Sequence, residues 1–364
     1  MATGATTTAA TTGGPGAGSA GAAGSAVDGP ALPAPRGDLS AAVIALLTEG
    51  SRHLPGGPAV SAADPYGDDL QLALYLAYEL HYRGFAGAGD QWEWDPDLLR
   101  FRRALEERFL TALRADTPRP GSAAEALDAL LVEPVDGDGV SHRLQDSGEL
   151  WQLREYAAQR SLYHLKEADP HAWVIPRLEG RAKAAMVAVE FDEFGGGRAD
   201  RVHARLFAEL MTDLGLDPAY GRYLDVTPAP MLAVVNQMSL FGLHRALRGA
   251  LVGHFAAVEI TSSPGSRRLA KALERAGGGP AAVHFYAEHV EADAVHEQIV
   301  RRDVVGGLLE AEPGLDADVA FGAASTEFLE DRLGSHLLAA WDEGRTSLRE
   351  PLPARPVPPV PSHA

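Results

Sequence analysis

Cysteine is absent from all 364 residues, which excludes disulfides, thiolate metal sites, iron–sulfur clusters and cysteine nucleophiles. Any metal must therefore be held by His, Asp and Glu. Basic residues are also scarce: 32 Lys and Arg against 50 Asp and Glu leave a net charge of −18. Such a chain repels the phosphate backbone and anionic lipid, so nucleic acid and membrane are not expected as partners, whereas a small or cationic molecule is. No apolar run reaches the roughly 18 residues of a transmembrane helix. The chain has no glycine-rich phosphate loop, no His-Glu-x-x-His, no Gly-x-Ser-x-Gly and no nicotinamide or flavin fingerprint. The Glu-x-x-His signature of ferritin-like bundles is missing too. Before Arg36 there is no basic residue and no leucine-rich stretch, so the start does not read as a secretory signal. The missing cysteines suit a reducing cytoplasm.

What is present is helical. Long Ala/Leu/Glu/Arg-rich segments with few alternating Val/Ile/Thr runs predict an all-α protein. An Ala/Gly/Thr-rich tail (1–37) is expected to be disordered, and the last residues (347–364) form a proline-rich tail. Between them we expect a smaller helical unit over 38–149, with helices at Leu39–Leu47, Asp69–Tyr82, Pro96–Ala115 and Ala123–Leu131. A loop-rich span ending near Glu149 separates it from a larger unit over 150–346. That unit should carry helices at Leu150–Ala168, Trp173–Phe194, Ala199–Leu214, Pro228–Ser262, Ser266–Ala276, Ala281–Val304 and Thr326–Arg345. Gly242, Gly249 and Gly253 would bend the longest of these or let a neighbour approach its backbone.

The chemistry concentrates in EHVEADAVHEQ, where His289, Asp293 and His296 share one stripe of a predicted helix. Two turns separate the histidines by roughly 10 Å along the axis, too far for one ion. Two ions about 3.5–4 Å apart could each take one of them. The remaining ligands must come from other helices. Glu259 stands in an apolar stretch where an unpaired carboxylate is costly to bury, and His203 shares a face with Leu206, Phe207 and Leu210. Glu167 lies in YHLKEADPH, and Glu193 precedes Gly195-Gly196-Gly197, which must end its helix and leave it on a movable end. Four carboxylates and three imidazoles neutralise two Fe(II) ions, and this donor set suits iron or manganese.

This pattern resembles the heme-oxygenase-like diiron oxidases and oxygenases, also described as iron-containing redox enzymes. In them a Glu and a His on early core helices and a Glu on the middle helix precede His-x-x-x-Asp/Glu-x-x-His. Here Glu167 or Glu193, His203, Glu259 and His289/Asp293/His296 fill those places, over roughly residues 150 to 345. The family includes N-oxygenases of guanidine and aminoimidazole, an alkene-forming fatty-acid decarboxylase and an oxygenase that makes para-aminobenzoate. The N-oxygenase branch is the nearest in pattern, since there an additional carboxylate can join the centre and both Glu167 and Glu193 are on offer. The resemblance implies a heme-oxygenase-like helical bundle preceded by a smaller, dimerising helical domain, hence a homodimer. It implies two non-heme Fe ions, O₂ as co-substrate, an external electron donor and a small natural-product precursor as substrate.

Other readings stand beside this one. The same centre could do C–H or C–C chemistry on an acyl or amino-acid substrate, or the scaffold could bind iron or dock a partner without catalysis. A greasy tunnel would favour the acyl chain, and a short acidic cavity the amine or guanidine. Taken singly, the stripe could be a solvated face, and Glu259 could pair with Arg248 or Arg267. Glu79 and His81, two apart, point in different directions and are expected in packing. His244, His254 and His284 are expected to pack or to hydrogen-bond near the site, Arg181, Lys183 and Arg245 to be ordinary surface residues, and Trp173, Met186, Met238 and Phe241 to belong to the core.

Overall fold

Helix-forming residues at helical spacing give helices here, with capping groups where the sequence supplies them. The computed structural model describes residues 29–119, 121–132 and 137–353, and among them every regular element is helical. The first half carries α1 (Asp38–Glu49), α2 (Gly57–Ala62), α3 (Asp68–Glu79), α4 (Pro96–Asp116), α5 (Ala123–Leu130) and α6 (Val140–Ser147). There follow α7 (Leu150–His164), α8 (Asp169–Ala172), α9 (Gly180–Glu193), α10 (His203–Asp213) and α11 (Ala229–Leu243). The last are α12 (Arg248–Ala276), α13 (Pro280–Ile299), α14 (Gly306–Ala311) and α15 (Asp316–Asp342), with a π-helical turn, Val300–Val305, joining α13 to α14. Asp95 caps α4 by accepting from the Asp97 and Leu98 amides ahead of Pro96, and Glu149 with Gln152 forms a capping box on α7.

The long α12 is the axis. It packs along both α13 and α15, and its hairpin to α13 turns through Gly277 and Gly279, both at positive φ, into Pro280 at the first helical position. At the crossing with α15 a Cβ on Gly253 would overlap the Val319 carbonyl, and one on Gly322 would overlap the Ala250 carbonyl. The two backbones therefore touch with nothing between them. The first half shares this core: Leu70–Glu79 of α3 are all buried, and α3 packs on α1, α4 and α11.

Several expected boundaries moved. The segment 228–262 is two helices, because Arg177 donates to the Gly242 and Leu243 carbonyls (3.0 Å to the latter) and ends α11 there. Conversely α12 runs through Pro264, where the sequence reading placed a break, since packing on both sides outweighs one missing N–H. The helix expected from Trp173 starts only at Gly180, and the last one starts ten residues before Thr326, at Asp316. The loop-rich span before Glu149 contains α6. Of the two tails, 1–28 and 354–364 lie outside the described residues. Residues 29–37, expected to be disordered, run extended along the core: the Ala86 amide donates to the Pro30 carbonyl (2.9 Å), and the Ala34 amide to Asp225 Oδ1 (2.7 Å). At the other end the buried Ser347 donates its amide to Glu155 (2.9 Å).

Candidate metal centre

Four pieces of chain deliver the seven predicted residues to one buried point. Glu167 lies in the turn after α7, next to Ala168, a buried non-glycine residue at φ +72°, a conformation costing about 1–3 kcal/mol. Glu193 is the last residue of α9 and His203 the first of α10. Between them Gly195, Gly196 and Gly197 all take positive φ; at Gly195 a Cβ would also stand 2.7 Å from the Val202 amide nitrogen. This turn folds the chain back so that His203 Nδ1 lies 2.7 Å from Glu193 Oε2. α12 brings Glu259, and α13 brings His289, Asp293 and His296 on one face. All seven are buried.

Two triads emerge, each with ligand atoms within 4.8 Å of one another: Glu167, His203 and His289, and Glu193, Glu259 and His296. His289 Nε2 is 3.8 Å from Glu167 Oε1, while His296 Nδ1 is 3.4 Å from Glu259 Oε2 and 3.6 Å from Glu193 Oε1. Glu193 thus reaches both triads, one oxygen to each. Asp293 falls in neither, but its Oδ1 is 3.9 Å from His296 Nδ1. The histidines two turns apart belong to different triads, as the spacing argument required.

Whether cations fit here is tested by the atoms left over. Glu167 Oε2, Glu259 Oε2, Asp293 Oδ2, His289 Nε2 and His296 Nδ1 are all buried without a hydrogen bond. Buried orphans of this kind are rare and costly, and these five belong to the seven predicted residues. Two divalent cations would satisfy the set and balance its four carboxylates.

The titration behaviour agrees. Burial first, then neighbouring carboxylates, push Glu259 and Asp293 upward despite the imidazoles beside them. Burial opposes a charged His289, but Glu167, Asp293 and Glu193 win and raise it to about 10. His296 rises to about 9 against its own desolvation, mainly through Glu259. Glu167 is buried as well, yet the His164 charge and hydrogen bond hold it well below the usual carboxylate range.

The sequence reading passed over several residues. His164 Nδ1 donates to Glu167 Oε1 at 2.8 Å. Glu190, one turn before Glu193, is buried with both oxygens unpartnered, and desolvation followed by Glu193 and Glu259 lifts it to about 9. Its place on the Glu193 stripe was the available signal. Tyr163 and His171 line a cavity of about 20 Å³, room for about one water, bounded also by Glu167, Glu193, Glu259, His289 and Asp293.

The other polar residues of these helices have partners away from this point. Glu259 meets His296, and Arg248 pairs instead with Glu312. Glu79 binds Lys166, and His81 sits between Glu93 (3.1 Å) and Arg102. His244 contacts Glu106 at 3.0 Å, His254 Nδ1 donates to Thr326 at 2.7 Å, and His284 faces Glu288 at the surface. Arg181 pairs with Glu310 and Asp303. Met186, Met238 and Phe241 are core, but Trp173 is 36% exposed, because the segment around it is a turn and not the start of a helix.

Residues 154–331 match the family described as iron-containing redox enzyme, and all seven residues fall inside that span. Over that stretch the chain is similar to this family. Its all-helical architecture is the heme-oxygenase-like one of the iron-containing redox enzymes. No curated protein matches the chain. Among the described residues no helix is long and apolar enough to cross a membrane.

Proposed function

We propose that this iron-containing redox enzyme is a non-heme diiron oxygenase that transfers one oxygen atom of O₂ to the nitrogen of a small amine- or guanidine-type molecule. The observation that carries this reading is a second, larger cavity, about 640 Å³, whose wall includes Glu259 and Asp293. Its other ionisable residues are Glu297, Glu327 and Arg268, and its apolar part is short, Ala129–Val132 with Ile260 and Pro264. With Glu259 and Asp293 given to the metals, Glu297 and Glu327 still stand against the single Arg268, and with so short an apolar part the space suits a compact amine or guanidine better than an acyl chain.

Glu167, Glu193, His203, Glu259, His289, Asp293 and His296 would hold the two irons. Bound there, iron would supply the electrons and Lewis acidity needed to activate O₂. The chain's share is geometric. Tyr163, Phe255 and Val258 line the small inner cavity and limit it to about one water, which protects a reactive oxidant from side reactions. Glu193, on a helix end followed by three glycines, can shift between the imidazoles it touches. In the overall balance one oxygen atom joins the substrate nitrogen and the other leaves as water, using two electrons and two protons from an external reductant.

Anaerobic reconstitution with Fe(II), metal counting and O₂ uptake test this. We expect two irons per chain and, with reductant, consumption of O₂ with an amine or guanidine and a product heavier by one oxygen. Uptake with fatty acids alone would transfer the reading to C–H or C–C chemistry. Iron binding without any substrate-dependent uptake would leave an iron-binding or docking protein.

A further inference from the structure

The turn that carries Glu167 is held from the far side by a residue outside the family match. Lys166 and Glu167 are neighbours that point opposite ways: Glu167 toward His164 and His289, Lys166 toward α3. Lys166 Nζ lies 2.9 Å from Glu79 Oε2, and both side chains are essentially inaccessible. The ammonium also sits over the rings of Tyr82 (4.2 Å) and Tyr75 (4.9 Å), and Tyr220 donates its hydroxyl to Glu79 Oε1 at 2.7 Å. Arg83 stacks on Tyr220 at 4.1 Å and donates to the Leu165 carbonyl at 3.3 Å, one residue before Lys166.

A buried ion pair is poor evidence for stability, because desolvating two charges offsets their attraction; its best-attested use is to fix register. Here the register matters. The residue after Glu167 is Ala168, held at φ +72° against its preference, so local propensity does not set this turn. The turn must be fixed by contacts, and on the side away from His164 and His289 the charged ones come from Glu79 and Arg83. On the reading of the seven residues as a metal centre, we propose that Glu79 and Lys166 are positioning residues for Glu167, and that the first-half helix α3 is thereby part of the metal-site scaffold.

The test is anaerobic Co(II) titration of the full chain, followed by visible absorption, beside thermal unfolding. The variants are Glu79→Gln/Lys166→Met, which removes both charges, and Glu167→Gln as a reference. The double variant is expected to unfold close to the wild-type temperature. It should bind one of its two Co(II) ions about tenfold more weakly, with the altered spectrum of the ion weakened in Glu167→Gln. Wild-type affinity and spectrum in the double variant would overturn the proposal and leave the pair a packing feature. If the double variant does not fold, Tyr220→Phe removes only the hydrogen bond that orients Glu79. It should weaken the same ion about threefold, and unchanged binding overturns the proposal. A wild-type chain that takes up no Co(II) would overturn the metal-centre reading itself, a result separable from either.

Discussion

The two histidines of α13 present different nitrogens to the centre. His289 Nδ1 lies 2.7 Å from the Phe285 carbonyl, which can only accept, so when the ring gives up a proton to bind metal it keeps the one on Nδ1 and frees the lone pair on Nε2. His296 is reversed: Nε2 faces Asp192 at 3.3 Å, and Nδ1 is turned toward Glu193 and Glu259. Partners of this kind fix the tautomer and raise ligand basicity. Asp192→Asn is therefore expected to weaken the ion of the Glu193/Glu259/His296 triad by about tenfold, the low end for such partners because Asp192 is exposed. Co(II) titration checks this, and an unchanged affinity would mean the contact is incidental. Glu190 gives a second test, on metal-free protein. Folded, it holds its proton up to about 9; unfolded, it releases it near 4.5. Its stabilising contribution is then complete below about 4.5 and is lost as pH rises through about 9. Metal-free Glu190→Gln should exceed the wild type in unfolding temperature at pH 8, with the gap closing toward pH 5. The α13 stripe was legible because three offsets fix its geometry. His164 was not, since nothing in its local sequence says that its face turns inward, and Glu190 becomes legible only once Glu193, one turn on, is placed at the site.

At the scale of elements, the glycines of α12 could be read and the helix ends could not. Gly253 was expected to admit a close neighbour, and α15 crosses at that point. A methyl group there has no room, so Gly253→Ala should cost about 1–3 kcal/mol or more. Because α12 also carries Glu259, the same change should weaken metal binding; chemical unfolding and Co(II) titration on one sample measure both. Loss of stability with intact binding would show that the two ends of α12 are independent. The helix ends are set from afar. Arg177 takes the last carbonyls of α11, and Arg275 of α12 takes those of α6, donating to Leu144 at 2.8 Å and to Gln145 at 3.1 Å. α6 buries a single leucine, Leu144, so its own residues give it little reason to be helical. Such caps join positions more than 60 residues apart in the chain, and a window along the sequence does not contain them.

The whole molecule is acidic, and its centre is more so. A net charge of −18 surrounds a core into which Glu167, Glu190, Glu193, Glu259 and Asp293 are all folded, an arrangement tolerable only with counter-charge. In metal-free protein that counter-charge is protons: Glu190 and His296 hold theirs to about 9 and His289 to about 10. Incoming cations must displace the imidazole protons, so binding should release them and strengthen as pH rises. For His289 and His296 the sign is definite. Their raised values mean that the charged, metal-free form is favoured at low pH and is lost only as pH passes about 9–10. Since bound metal stabilises by RT ln(1 + [M]/Kd), the drop in unfolding temperature caused by a chelator should be larger at pH 8 than at pH 6.5. Calorimetric titration with Co(II) in two buffers of different ionisation heat would count the released protons. A chelator effect independent of pH, together with no proton release, would mean that the imidazoles of α13 do not hold the metal.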